Sequence, residues 1–136
     1  MPPERRPEPL DAQRILEELA RHGVDFVLVG GLAAQTHGNT RMTNDVDVIP
    51  GPNPENLSRL AEALRTMPPG IDVLHEAPGA APYADLRERA LVISLGDLQV
   101  PVAGRDDLIR MKLARGRTTD LADVAALTDR EAEPGN

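Results

Sequence analysis

Short β-branched runs separated by segments of helical period predict an α+β (mixed α/β) fold, a small mixed sheet flanked by helices. Three observations carry this. Apolar stretches of strand length occur at 26–29, 46–49 and 71–74, and again in the pair Leu91–Leu95 and Leu98–Val102. Between them, apolar residues recur at helical spacing. The order strand, helix, strand around 53–66 implies a crossover onto the same sheet.

The first nine residues hold four prolines and four charges and are expected to form a disordered leader. In 10–21, Leu10, Ile15, Leu16 and Leu19 mark an amphipathic helix, with His22 and Gly23 as its stop. The run 26–29 reads as a buried strand halted by Gly30 and Gly31, after which Leu32, Ala33, Ala34 and Gln35 favour a helix that ends near His37 and Gly38. Residues 44–49 form the next strand, and Pro50-Gly51-Pro52 breaks it. Asn53 suits an N-cap and Pro54 the first helical position, with Leu57, Leu60, Ala61 and Leu64 as the expected buried stripe.

A third strand falls at 71–74 and an irregular loop at 75–82. Tyr83–Arg89 reads as a short helix whose Tyr83 either stacks on a base or anchors the loop. The pair 91–95 and 98–102 joins through Gly96-Asp97 as a hairpin. After Arg105, an aspartate of the pair Asp106-Asp107 is expected to cap a helix bearing Leu108, Ile109, Met111, Leu113 and Ala114. Past Gly116 a last helix carries Leu121, Val124, Ala125 and Leu127, and 131–136 should fray. One domain over 10–130 accounts for the chain, since 136 residues suffice for one modest core.

Composition narrows the function. Phe26 and Tyr83 are the only aromatic residues, which argues against a stacking platform for bases. A formal charge of −7, from 22 acidic and 15 basic residues, disfavours sequence-independent adhesion to nucleic acid or an anionic membrane. With no cysteine there is no disulfide framework and no zinc–thiolate site. No stretch approaches a transmembrane helix, so a cytoplasmic protein without a membrane partner is expected.

The chemistry concentrates between Phe26 and Ile49. The Gly30-Gly31 turn leads from strand to helix, where bare amide N–H groups favour an anion such as phosphate. Residues alternate across a strand, so Asp45 and Asp47 share one face of the next one. Like charges at that spacing repel unless a cation joins them. Mg²⁺, or Mn²⁺ in its place, suits one or two carboxylates completed by substrate phosphate oxygens.

A strand, a Gly-Gly turn, a helix and an Asp-x-Asp strand resemble the core of the nucleotidyltransferase superfamily related to DNA polymerase β. Gly30-Gly31, His37-Gly38, Arg41, Thr43 and Asp45-Val46-Asp47 are similar to the small stand-alone nucleotidyltransferases akin to AbiEii-type toxins. A second resemblance follows at 107–123, a helical Lys112 followed by Ala114, Arg115, Arg117 and then Asp120-x-x-Asp123. The likeness implies a third carboxylate from a neighbouring strand, acting as general base or positioning the attacking group. Asp72 matches it by order and Asp97 is the rival, with turn chemistry as the other reading of Asp97. It also implies nucleotide contacts from Gly30, Gly31, Arg41, Thr43, Lys112 and Asp120, with Lys112 as a mobile charge reaching a triphosphate and Arg117 and Asp120 holding each other or orienting that lysine. The metal set would be Asp45, Asp47 and Asp72.

The implied activity is transfer of an NMP from an NTP to an acceptor hydroxyl, on an RNA 3′ end or a protein side chain, by a protein with a cognate toxin or antitoxin partner. The alternative is a non-catalytic module of the same fold that binds a nucleotide or a partner.

Overall fold

The computed structural model describes residues 10–38, 43–116 and 118–132, of which 118–120 and 129–132 are described as backbone alone. The expected leader, Arg41, Arg117 and the side chain of Asp120 lie outside the described residues. Among the described residues, five strands form one sheet in the order β3-β2-β1-β5-β4 and six helices accompany it, which is the predicted mixed α/β architecture.

Helix α1 (Ala12–Arg21) starts where the Asp11 carboxylate accepts the Arg14 N–H at 3.1 Å, and it buries Ile15, Leu16 and Leu19. His22 caps its far end, as its position suggests. Strand β1 (Phe26–Val29) is buried along its whole length because it is the centre of the sheet. It pairs antiparallel with β2 (Val46–Pro50) on one side and parallel with β5 (Leu98–Val102) on the other. Strand β3 (Ile71–Val73) lies parallel to β2, so the intervening helix α3 (Pro54–Thr66) is the crossover that the strand–helix–strand order implies. Strand β4 (Leu91–Leu95) forms the hairpin with β5, and Gly96 adopts φ +61° in its turn.

Helix α3 buries a different stripe from the expected one. Leu57 and Leu64 are each 41% exposed, whereas Asn56, Leu60 and Ala63 face inward. The reason is the Asn56 amide. Its Oδ1 accepts the Asp25 N–H at 2.7 Å, and its Nδ2 donates to the Asp25 and Gly51 carbonyls at 2.9 Å each. A buried amide with these partners satisfied fixes the rotation of the helix as firmly as a leucine would.

Helix α2 (Gly30–Thr36) follows β1 without a gap, and His37 at its end lies with Nε2 3.0 Å from the Ala103 carbonyl. Helix α4 (Tyr83–Arg89) leads into the hairpin, and α5 (Arg105–Arg115) packs against both α2 and α6 (Thr118–Ala132). The expected aspartate cap of α5 is absent: Gly104 is the N-cap and makes no side-chain bond. Asp107 is buried instead and accepts a two-pronged hydrogen bond from Arg89, Nη2 at 2.7 Å and Nε at 2.9 Å, which ties α5 to α4. On α6, Leu127 is buried as expected, but Leu121 is 51% exposed and Asp123 takes the inward position.

Candidate active site

The site grows from the junction of β1 and α2. Val29, the N-cap residue of α2, offers no side-chain acceptor to the first turn of the helix. Gly30 has φ +72°, a conformation that suits glycine, and a Cβ there would overlap the Asp47 carboxylate. A Cβ on Gly31 would lie 2.9 Å from the Cβ and Oγ1 of Thr43. Each glycine therefore makes room for a named neighbour.

Strand register places the acids. Asp47 stands opposite Val29 across the β1/β2 pair and opposite Asp72 across the β2/β3 pair. The Asp72 carboxyl is close enough to Asp47 to act on its titration. Asp45 comes just before β2 and is exposed. Thr43 shapes that approach, its Oγ1 donating to the Asp45 carbonyl at 3.1 Å and accepting the Asp45 N–H at 3.4 Å. Partial burial, then the charge and hydrogen bond of Asp72, then the charge of Asp45, push the Asp47 pKa from 3.8 up to about 6, against a lowering by Arg115.

Gly31, Thr43, Asp45, Asp47, Asp72 and Lys112 line one open cleft of about 500 Å³. A narrower cavity of about 40 Å³ beside it reaches Gly30, Asp47, Lys112 and Arg115. Asp97 sits in the hairpin turn and is not among the lining residues, so Asp72 is the acid that strand pairing brings to Asp47. Tyr83 lies outside the cleft too, with its ring 3.2 Å from where a Gly51 Cβ would be, and so anchors the loop.

Lys112 differs from the mobile charge that the sequence suggests. It is 7% exposed, and its Nζ donates to Asp123 Oδ2 at 2.8 Å. Asp123 and Arg115, which the 107–123 pattern includes without assigning them a role, also line the cleft. The available signals were the second aspartate of the Asp-x-x-Asp pattern and the i,i+3 spacing of Lys112 and Arg115, which puts them on one side of α5.

Among the described residues, no three acidic or imidazole side chains stand close enough together to enclose an ion by themselves. The oxygen-only donors of Asp45 and Asp47 at the rim of an open cleft nevertheless fit a cation that completes its shell from substrate oxygens, as Mg²⁺ does.

Residues 10–128 match a family described as nucleotidyltransferase of unknown function (DUF6036). Two solved structures are similar in fold. An antigenic nucleotidyltransferase-like protein from Paracoccidioides brasiliensis is 16% identical with a TM-score of 0.58, over 90% of this chain and 78% of that one. ANT(2")-Ia, solved in complex with adenylyl-2"-tobramycin, is 14% identical with a TM-score of 0.55, over 86% of this chain and 85% of that one. No curated protein matches the sequence. Among the described residues, no helix is long and apolar enough to cross a membrane.

Proposed function

The chain belongs to the DUF6036 nucleotidyltransferase family, and from that premise we propose that it transfers an NMP from an NTP to an acceptor hydroxyl in a metal-dependent reaction. The observation that carries this reading is the gathering of Asp45, Asp47 and Asp72 in the cleft beside the Gly30-Gly31 bend. Asp45 and Asp47 would hold Mg²⁺ or Mn²⁺, its shell completed by substrate oxygens. Bound there, the cation would neutralise charge on the phosphate oxygens.

The backbone amides of Gly30 and Gly31 orient the phosphates from the start of α2. Asp72, exposed on β3, lines the cleft and would be accessible to an acceptor. Its carboxylate accepts the hydroxyl proton as the acceptor oxygen bonds to the α-phosphorus. The bond to pyrophosphate breaks on the opposite side. Lys112 and Arg115 supply positive charge along the same wall.

The acceptor is the finer part of the proposal. The neighbouring fold of ANT(2")-Ia was solved with an adenylylated aminoglycoside, so a hydroxylated small molecule joins the RNA 3′ end and the protein side chain as acceptors to test. The AbiEii-type kinship, with a toxin or antitoxin partner, is supported by motif spacing alone.

The test is incubation with each α-labelled NTP and Mg²⁺ or Mn²⁺, in the presence of total RNA, cell lysate or tobramycin. Label should move to one acceptor class with the wild-type chain, and to none with Asp47→Asn. NTP binding without transfer to any acceptor would instead favour the binding-module reading.

A further inference from the structure

The sheet ends in two unlike edges. Strand β3 is three residues long and carries Asp72 at its centre, so it offers little to a further strand. Strand β4 is five residues long, Leu91-Val92-Ile93-Ser94-Leu95, with no charge, proline or glycine, and it pairs with β5 without a bulge. Among the described residues no strand pairs with its outer side. Leu91 is 52% exposed and Val92 54%, more than any other large apolar side chain described.

Its partner β5 decides which backbone groups face outward. Val92 stands opposite Pro101, which has no N–H to give. The two cannot exchange a pair of ladder hydrogen bonds, and by alternation neither do Ser94 and Gln99. The N–H and C=O groups of Val92 and Ser94 therefore point away from β5, toward the free edge. An antiparallel copy of the same strand, centred on Ile93, matches them. Val92 would exchange both bonds with Ser94 of the second copy, and Ser94 with its Val92. Ile93 would meet its own counterpart, and Leu91 would lie opposite Leu95. The apolar row begun by Leu95 and Ile93, which pack against the core, then continues across the joint. Arg89 precedes β4 at the end of α4, and Asp97 follows it in the turn. The same register sets Arg89 against Asp97 of the second copy, so opposite charges meet at both ends.

We propose that β4 is a self-association edge, through which two copies of this chain join antiparallel about Ile93 into one continuous sheet. Residues 1–9 suit that edge poorly, since four of the nine are prolines without a ladder donor. Five residues make a small interface, so the pairing belongs to the weak end of specific association. Nothing in it depends on the chemistry of the cleft.

The experiment is sedimentation velocity on the full chain from about 1 μM to about 1 mM, the span over which a small interface dissociates. The wild type should shift from monomer to dimer. Ser94→Pro removes an outward N–H and leaves the β4–β5 ladder its bonds, so it should stay monomeric throughout with a melting temperature near the wild type's. The chain has no cysteine, so single replacements report the register. Residues facing each other without ladder bonds have Cα atoms about 4.5 Å apart, within reach of a disulfide. In a glutathione redox buffer, Ile93→Cys should therefore crosslink at least about 10-fold faster than Val92→Cys, although Val92 is the more exposed.

A wild type still monomeric at about 1 mM overturns the pairing. So does a dimer that persists in folded Ser94→Pro, or a Val92→Cys chain that crosslinks as fast as Ile93→Cys. If Ser94→Pro does not fold, the two cysteine variants decide alone.

Discussion

Asp47 is held by two constraints, β-pairing opposite Val29 and Asp72 and the space that Gly30 leaves for its carboxylate, and burial together with the neighbouring Asp72 favours a proton on it. Its folded pKa of about 6 lies above the ordinary 3.8. The folded chain thus binds this proton more tightly than the unfolded chain does. The resulting stability is fully present below pH 3.8 and is lost as pH rises through about 6. Without metal, Asp47→Asn should stabilise the fold near neutral pH by roughly 1 kcal/mol once solvent screening of a half-buried carboxyl is allowed for, and so raise the melting temperature. The gain should shrink as pH falls below 6. A pH series of thermal melts checks this, and a variant less stable than the wild type near pH 8 contradicts it.

Gly30→Ala places a Cβ against the Asp47 carboxylate and strains a residue at φ +72°. The carboxylate can swing aside but the backbone strain stays. We expect a loss of roughly 1–2 kcal/mol in denaturant unfolding. The accompanying loss of transferase activity should be larger than that instability explains, because the displaced group is the proposed metal ligand. Thr43, read from the sequence as a nucleotide contact, lines the cleft, and its hydroxyl bonds the Asp45 backbone and so shapes the approach to β2.

At the scale of elements, what the sequence discloses follows from local rules. The hairpin 91–95/98–102 and helix 83–89 are legible to the residue, because Gly96-Asp97 and Pro82 punctuate them. The crossover from β2 to β3 is legible as well. Features set by long-range polar partners are not. Apolar periodicity selects Leu57 and Leu64 for the buried face of α3, since it does not register an amide whose three hydrogen bonds reach Asp25 and Gly51. The same blindness makes Asp107 look like a helix cap and hides Asp123 as the partner of Lys112.

Two stability predictions belong here. Asn56→Ala leaves the Asp25 N–H and two carbonyls without their partner, and should cost roughly 2–4 kcal/mol in chemical denaturation. Asp123→Ala strands the buried Lys112 ammonium, and should cost about 3–5 kcal/mol. Replacing both members of the pair by apolar residues of similar size should restore much of it, because the lone charge is then gone. A double variant less stable than Asp123→Ala would show that the pair does more than neutralise itself.

For the molecule as a whole, the sheet order matters most. Placing β1 between β2 and β5 brings the α2 turn, the acidic strands and α5 to one cleft, although the residues involved span positions 31 to 123. Lys112 is foreseeable on α5 from its motif, but its burial depends on how α6 docks, which no local pattern encodes. The net charge of −7 and the acid-lined cleft give an expectation for acceptors. If RNA is the acceptor, its affinity should be weak and should fall steeply between 50 and 200 mM salt, with about one counterion released per phosphate contacted. A small cationic acceptor should bind more weakly when Asp72 is neutralised.

The most direct measurement is transfer of α-labelled NTP by the wild type and by Asp45→Asn, Asp47→Asn and Asp72→Asn, across a Mg²⁺ titration and with melting curves beside each. Metal-dependent incorporation by the wild type, and a fall of at least about 100-fold in each folded variant, is the predicted result. Undiminished incorporation by folded Asp45→Asn or Asp47→Asn would contradict the account.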